Sequence, residues 1–320
     1  TAGFHISELY SVWSTWAEMA TAFLEAKKQP EMLKTWVNTA LGETFETQGD
    51  SIDHAPLLDR RKNYDIHSIP AEVLLLTAGV DVQKDRLECQ LVGWGKNYEC
   101  WVVDYKIFYG DPSDDNVWLD LDGYLKQTFV TESNLRLPVT ATCIDSGHHT
   151  ERVYAFTKSR ISRKIHAVKG MSQSGKPIAG RPTKVGRARC LLFPVGADTA
   201  KEAIYARLAA TPENTTLHFP HTCDEEYFLQ LTAEKRIAKF TRGKKTLIWK
   251  QIRERNESLD TLVYCFAAVY ILQPNFEVLE KRMKNVVENA ENNENLDKKN
   301  KNAPYSRHLR KNTFVNSWKY

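Results

Sequence analysis

The stretch Val73-Leu74-Leu75-Leu76-Thr77-Ala78-Gly79-Val80-Asp81-Val82 decides the fold. A short, nearly continuous apolar run bounded by turn formers is what a central strand covered on both faces requires. Pro70 precedes it and the polar Gln83-Lys84-Asp85 follows, so Asp81 is carried to the rim of a sheet. Working outward, residues 87–94 and 100–108 are rich in apolar and aromatic side chains, and Gly95-Lys96-Asn97 between them reads as a hairpin break. A helical pattern over 117–128 leads to a second apolar strand over 138–145, which again ends in an aspartate, Asp145. Further on, the pattern predicts a helix over 152–158, a strand over 165–168, a Gly/Ser/Pro/basic loop over 169–189, a strand over 190–195 and a helix over 200–208. A basic hairpin-like region covers 237–252, and an apolar helix runs over 259–272, with Ser258 suited to cap it and Asp260 in its first turn.

Strands alternating with helices in this way predict an α/β domain over 70–275, a mixed central sheet flanked by helices. Residues 1–69 read as two helices over 13–41 with Pro30 between them, followed by a polar extended arm closed by Pro70. Beyond Pro274 the chain turns Asn-, Glu- and Lys-rich, so 276–320 reads as a flexible tail. Its last residues regain Leu309, Phe314, Trp318 and Tyr320 among basic side chains, a composition suited to docking on a partner.

A chain of 320 residues with 42% hydrophobic and 26% charged residues has the composition of a globular protein with a full core, not of a collagenous or wholly disordered one. The net charge of +4 leaves an acidic partner unrepelled. Six cysteines without a C-x-x-C pair read as reduced, buried thiols rather than a zinc site. No run of about 18 apolar residues is present and the opening lacks a basic start followed by an apolar core, so neither a membrane span nor an export signal is expected. The first residue is Thr, and patterned sequence begins at once, which reads as a fragment of a longer chain.

Two strands that deliver Asp81 and Asp145 at their ends, and a helix start that delivers Asp260, can form a carboxylate cluster. Each alone has an ordinary explanation: aspartates end strands as turn formers, and an acid in a first helical turn suits the helix dipole. Together they would repel one another and need cations. Mg²⁺ or Mn²⁺, hard ions that take oxygen ligands and keep waters for a phosphate to displace, fit such a set. With two ions about 4 Å apart, the chemistry expected is phosphodiester hydrolysis.

Gly79-Val80-Asp81-Val82-Gln83-Lys84-Asp85-Arg86-Leu87-Glu88 resembles the first nuclease motif of the lambdoid type of phage terminase large subunit. Ile144-Asp145-Ser146-Gly147 with Thr150 and Val153-Tyr154 is similar to the second acidic motif, and Arg255-Asn256-Glu257-Ser258-Leu259-Asp260-Thr261 to the third. Upstream, Gly3-Phe4-His5-Ile6-Ser7-Glu8-Leu9-Tyr10-Ser11 and Val37-Asn38-Thr39-Ala40-Leu41-Gly42-Glu43 are similar to the segment linking that family's ATPase to its nuclease. The resemblance implies an RNase H-like fold, related to RuvC resolvases, with Asp81, Asp145 and Asp260 as catalytic metal ligands for two Mg²⁺ or Mn²⁺ ions and Glu257 as a weaker candidate. It further implies cleavage of double-stranded concatemeric DNA in the host cytoplasm during viral genome packaging. The partners implied are a small terminase subunit and a portal protein or procapsid, reached through the tail. The ATPase part of such a protein is not in this sequence.

Gly170-Met171-Ser172-Gln173-Ser174-Gly175-Lys176-Pro177 has P-loop glycine and lysine spacing, yet Pro177 stands where Ser or Thr would hold Mg²⁺ and offers no N–H, so nucleotide binding is not expected. The loop's Lys169, Lys176, Arg181 and Lys184, and the hairpin's Lys244, Lys245 and Lys250, read instead as DNA phosphate contacts, with a solvated surface as the ordinary alternative. His148 and His149 lie beside Asp145 and can approach the site, while His218 and His221 lack cysteine partners for zinc. Two other readings stay open on residues alone: a resolvase or transposase-type nuclease, and a non-catalytic module that binds DNA or the portal.

Overall fold

A computed structural model of the chain describes residues 6–27, 30–43, 52–171, 175–187, 189–241 and 244–286. The tail residues that suggested docking lie outside the described residues. In chain order the helices are α1 (Trp16–Ala26), α2 (Pro30–Trp36), α3 (Ala55–Leu58), α4 (Asp115–Leu125), α5 (Thr150–Lys158), α6 (Ala197–Ala209), α7 (Glu225–Leu231) and α8 (Glu257–Leu272). The strands are β1 (Arg61–Lys62), β2 (Leu75–Val82), β3 (Arg86–Trp94), β4 (Cys100–Tyr109), β5 (Thr128–Val130), β6 (Arg136–Asp145), β7 (Ile165–Met171), β8 (Thr183–Val185), β9 (Cys190–Gly196), β10 (Leu217–Pro220), β11 (Glu234–Thr241) and β12 (Lys244–Gln251).

A ten-stranded mixed sheet runs β1-β10-β4-β3-β2-β6-β7-β9-β8, with β5 beside β6, and β11-β12 form a separate hairpin. The meander β2-β3-β4 is antiparallel, whereas β6, β7 and β9 extend it in parallel from β2. This is the mixed central sheet flanked by helices that the sequence pattern predicts. Every residue of β2 is buried, as its apolar run requires. Thr77, Gly79 and Asp81 share one face of it, since side chains alternate along a strand. α8 lies on that face, over β2, β6 and β3. Its Leu259, Leu262, Phe266 and Val269 are fully buried, and burying each such side chain contributes about 1.5–3 kcal/mol. Trp94 anchors the same layer, edge-on to Phe266 at 4.9 Å and donating its indole N–H to Thr77 Oγ1 at 2.7 Å.

Several expectations need correction. Ser258 does not cap α8, because the helix begins two residues earlier, at Glu257, with Asn256 as its N-cap; Ser258 lies inside the first turn. Its hydroxyl donates instead to the Tyr227 carbonyl at 2.9 Å, tying α8 to α7. The region read as a loop over 169–189 is partly strand: β7 continues to Met171 and β8 pairs with β9. The extended arm supplies β1, which joins the sheet edge beside β10. The short β5, β10 and α7 had no counterpart in the sequence reading. Residues up to Phe276 form one compact unit. In the second unit, which begins at Glu277, the residues to 286 are helical, with Lys284 and Glu280 paired at 3.1 Å, and 287–320 lie outside the described residues. Among the described residues no single helix is long and apolar enough to cross a membrane.

Candidate active site

The carboxylates come together because of register. β2 and β6 run parallel with Gly79 opposite Cys143 and Val80 opposite Ile144, so the next step places Asp81 and Asp145 side by side at the same strand ends. α8 can close over them because Gly79 has no side chain: a Cβ there would stand 2.0 Å from the Thr261 carbonyl oxygen and 2.8 Å from the Cys265 nitrogen. That close approach brings the first turn of α8, with Asp260, to the rim. Asp81, Asp145 and Asp260 therefore converge from segments far apart in the chain, and each of Asp81 and Asp260 feels the charge of its neighbours.

Their electrostatics follow from the crowding. Burial first, and then Asp260, push the Asp81 carboxyl up to about 8 against the pull of Gln83, with Asp145 and Glu88 adding to the rise. Burial likewise raises Asp145, opposed by the backbone N–H groups of Gly147 and Ser146, the Tyr264 hydroxyl and the charge of His148. Asp260 is raised by burial, with Glu234 and Asp145 adding to the effect and Lys201 opposing it. Each carboxylate also has its own hydrogen-bond donor. Gln83 Nε2 donates to Asp81, Gly147 N to Asp145 at 2.8 Å and Asn256 Nδ2 to Asp260 at 3.0 Å. The Tyr264 hydroxyl, one turn along α8 from Asp260, is near enough to Asp145 to oppose the rise in its proton affinity, so α8 bears on two of the three acids.

Among the described residues, no three His, Cys, Asp or Glu side chains already stand at metal-ligating distances. The donor set nevertheless fits a hard divalent cation: oxygen ligands only, on three crowded carboxylates of which Asp145 and Asp260 are partly exposed at the sheet rim. Asp81, Asp145 and Asp260 are the residues that would hold such an ion.

The other candidates separate. Glu257 is committed elsewhere, accepting from Arg86 at 2.8 Å and Arg255 at 3.3 Å. Those two arginines also grip the fully buried Glu88, which lies opposite Asp81 on β3. Ser146 donates to the Val168 carbonyl and is structural. His148 is exposed and near enough to lower Asp145, whereas His149 occupies the left-handed N-cap of α5. His218 bonds to Glu99 at 2.7 Å and His221 to the Tyr64 carbonyl at 3.0 Å. Lys169, just past the Val168–Asp145 pairing on β7, and Lys176, whose carbonyl accepts from Thr199 in α6, lie toward the carboxylate end of the sheet. Lys184 lies elsewhere, in a groove with Lys158, His166 and Arg189. Lys169, Lys176, Arg181 and Lys184 are exposed, and Lys250 on β12 is exposed too. Lys244 and Lys245 belong to β12, but their side chains lie outside what is described.

The family described as "Terminase large subunit gpA, endonuclease domain" matches residues 1–283. The chain belongs to this family. Among relatives of this gpA endonuclease domain, the large terminase subunit of Enterobacteria phage P21 is 36% identical over 279 residues, covering 84% of this chain and 43% of that protein. The large terminase subunit of Escherichia phage lambda is 34% identical over 278 residues, with the same coverage of 84% and 43%. The gpA-type chain thus spans less than half the length of the curated relatives it matches. Among solved structures, the large terminase of bacteriophage HK97 overlaps with a TM-score of 0.37 at 12% identity, over 81% of this chain and 51% of that one. The family assignment rests on the sequence match.

Sequence reasoning missed Lys201 and Glu234. Lys201 Nζ lies 2.5 Å from Glu234 Oε1 and 3.4 Å from Asp260 Oδ1, and both partners are largely enclosed. A lone lysine in a mixed helix and a glutamate opening a basic strand both read as surface charge, and only the fold places them beside Asp260.

Proposed function

We propose that this chain is a divalent-cation-dependent endodeoxyribonuclease unit that hydrolyses phosphodiester bonds of double-stranded DNA, with Asp81, Asp145 and Asp260 as its metal ligands. The observation that supports this most directly is the convergence of three carboxylates with raised proton affinities at one sheet rim. Two bound Mg²⁺ or Mn²⁺ ions would supply an activated water and stabilise the leaving oxygen. The protein's own part is to hold and orient: Gln83 fixes Asp81, Gly147 fixes Asp145, and Asn256 fixes Asp260. Lys169, Lys176, Arg181 and Lys184, with Lys244, Lys245 and Lys250 of the hairpin, grip phosphates without reading sequence. Choice of cut site then falls to a small terminase subunit, and attachment to a portal or procapsid to the tail, in the host cytoplasm where concatemeric viral DNA is packaged.

Plasmid DNA incubated with the protein is expected to be cut in Mn²⁺ or Mg²⁺ and left intact in EDTA. Asp81→Ala, Asp145→Ala and Asp260→Ala should each abolish cutting, and full cutting by any of these variants would refute the assignment. Inertness of the wild-type chain in both metals would favour a non-catalytic DNA- or portal-binding module.

A further inference from the structure

We propose that Lys201 is a built-in competitor of the divalent cation, its ammonium holding the position between Asp260 and Glu234 that the cation must share. The inference deepens the metal-dependent reading above and rests on it.

The geometry carries it. Lys201 projects from the first turns of α6, and its side chain is only 11% exposed, between a Glu234 side chain at 6% and an Asp260 side chain at 28%. Its Nζ contacts one oxygen of each acid, at 2.5 Å and 3.4 Å. Asn256 Nδ2 bridges the same pair, 3.0 Å from Glu234 Oε1 and 3.0 Å from Asp260 Oδ2. Glu234 is thus a fourth carboxylate, tied to the site through shared donors although it opens a different strand. A divalent ion binds carboxylate oxygens at about 2.0–2.6 Å. The oxygen of Asp260 nearest the ammonium cannot serve both cations in full. An ammonium is a compact charge on a flexible stem, so it can yield where a rigid guanidinium would not. Enclosed carboxylates left without a cation are costly, which gives Lys201 its second effect: it keeps the metal-free fold intact.

The test is Mn²⁺ binding to the full chain, followed by the electron paramagnetic resonance signal of the free ion, together with thermal unfolding in EDTA and in Mn²⁺. In Lys201→Met, Mn²⁺ should bind about tenfold more tightly than in the wild type, the size of an ordinary coupling between two sites. The metal-free variant should melt earlier than wild type, and Mn²⁺ should raise its melting temperature by more. Lys201→Gln, which keeps polarity without charge, should show the same tightening if the methionine variant does not fold. Unchanged or weaker Mn²⁺ binding in a folded Lys201→Gln or Lys201→Met protein overturns the inference, since a merely structural lysine would give that result. If the wild type binds Mn²⁺ and Asp81→Ala does not, the metal site stands whatever Lys201 does. If the wild type takes up no Mn²⁺, both readings fall.

Discussion

Replacing Gly79 by alanine tests how the site is assembled. The added methyl would lie 2.0 Å from the Thr261 carbonyl oxygen, 2.8 Å from the Cys265 nitrogen and 3.0 Å from the Thr261 carbonyl carbon, all backbone atoms of α8. Comfortable separation is about 3.5 Å, so the helix must retreat by roughly 1.5 Å or the strand must buckle. Overpacking of this kind costs about 1–3 kcal/mol, and with rigid backbone on both sides the upper end, about 3 kcal/mol, is expected. The retreat also carries Asp260 away from Asp81, and a misplacement of about 1 Å in a catalytic group can cost about 100-fold in rate. Denaturant unfolding measures the first effect, and plasmid cleavage in Mn²⁺, well below the melting temperature, measures the second. Gly123 in α4 is the matched control, because a Cβ there meets nothing within 4 Å. Gly123→Ala should stabilise by about 0.5–1 kcal/mol. A Gly79→Ala protein within about 0.5 kcal/mol of wild type, cutting at the wild-type rate, would show that the helix does not depend on that contact.

Stability in EDTA should fall as pH rises from about 4 toward about 8. Asp81 keeps its proton up to about 8 in the folded state, while the unfolded chain loses it near the ordinary value of 3.8, so folding takes up a proton throughout that window and higher pH opposes it. Urea unfolding at pH 5 and pH 8 reads the slope; Asp81→Asn should flatten it, and a stability that rises with pH would contradict the crowding described. Glu88→Gln should destabilise by about 3–5 kcal/mol, since it strips a fully buried carboxylate from Arg86 and Arg255 and leaves both guanidinium groups short of a partner. Chemical denaturation measures the loss, and a change under about 1 kcal/mol would mean that solvent already screens the network.

How much of this was legible depended on what each segment had to bury. β2 and β6 announced themselves because a strand covered on both faces must be apolar almost throughout, and their aspartates stood out against that background. α8 was equally plain, yet its start was misjudged. Ser258 has the chemistry of a cap, but its hydroxyl is taken by the Tyr227 carbonyl of a helix that the sequence did not reveal. β10, Leu217-His218-Phe219-Pro220, is too short to show a period, and its pairing partners lie far away in the chain. Glu234 and Lys201 were illegible for a different reason: their burial is created by tertiary contact and leaves no trace in the pattern around them. Glu257 matched a motif, but the structure shows its oxygens occupied by arginines.

The placement of α8 has a consequence for the order of events during synthesis. The helix that covers the central strand also brings the third acid, and it is the last element of the compact unit to leave the ribosome. A nascent chain that ends before residue 257 has its central strand uncovered on the α8 side and its acid set incomplete. The cover of the central strand and the last of the three acids arrive in the same helix.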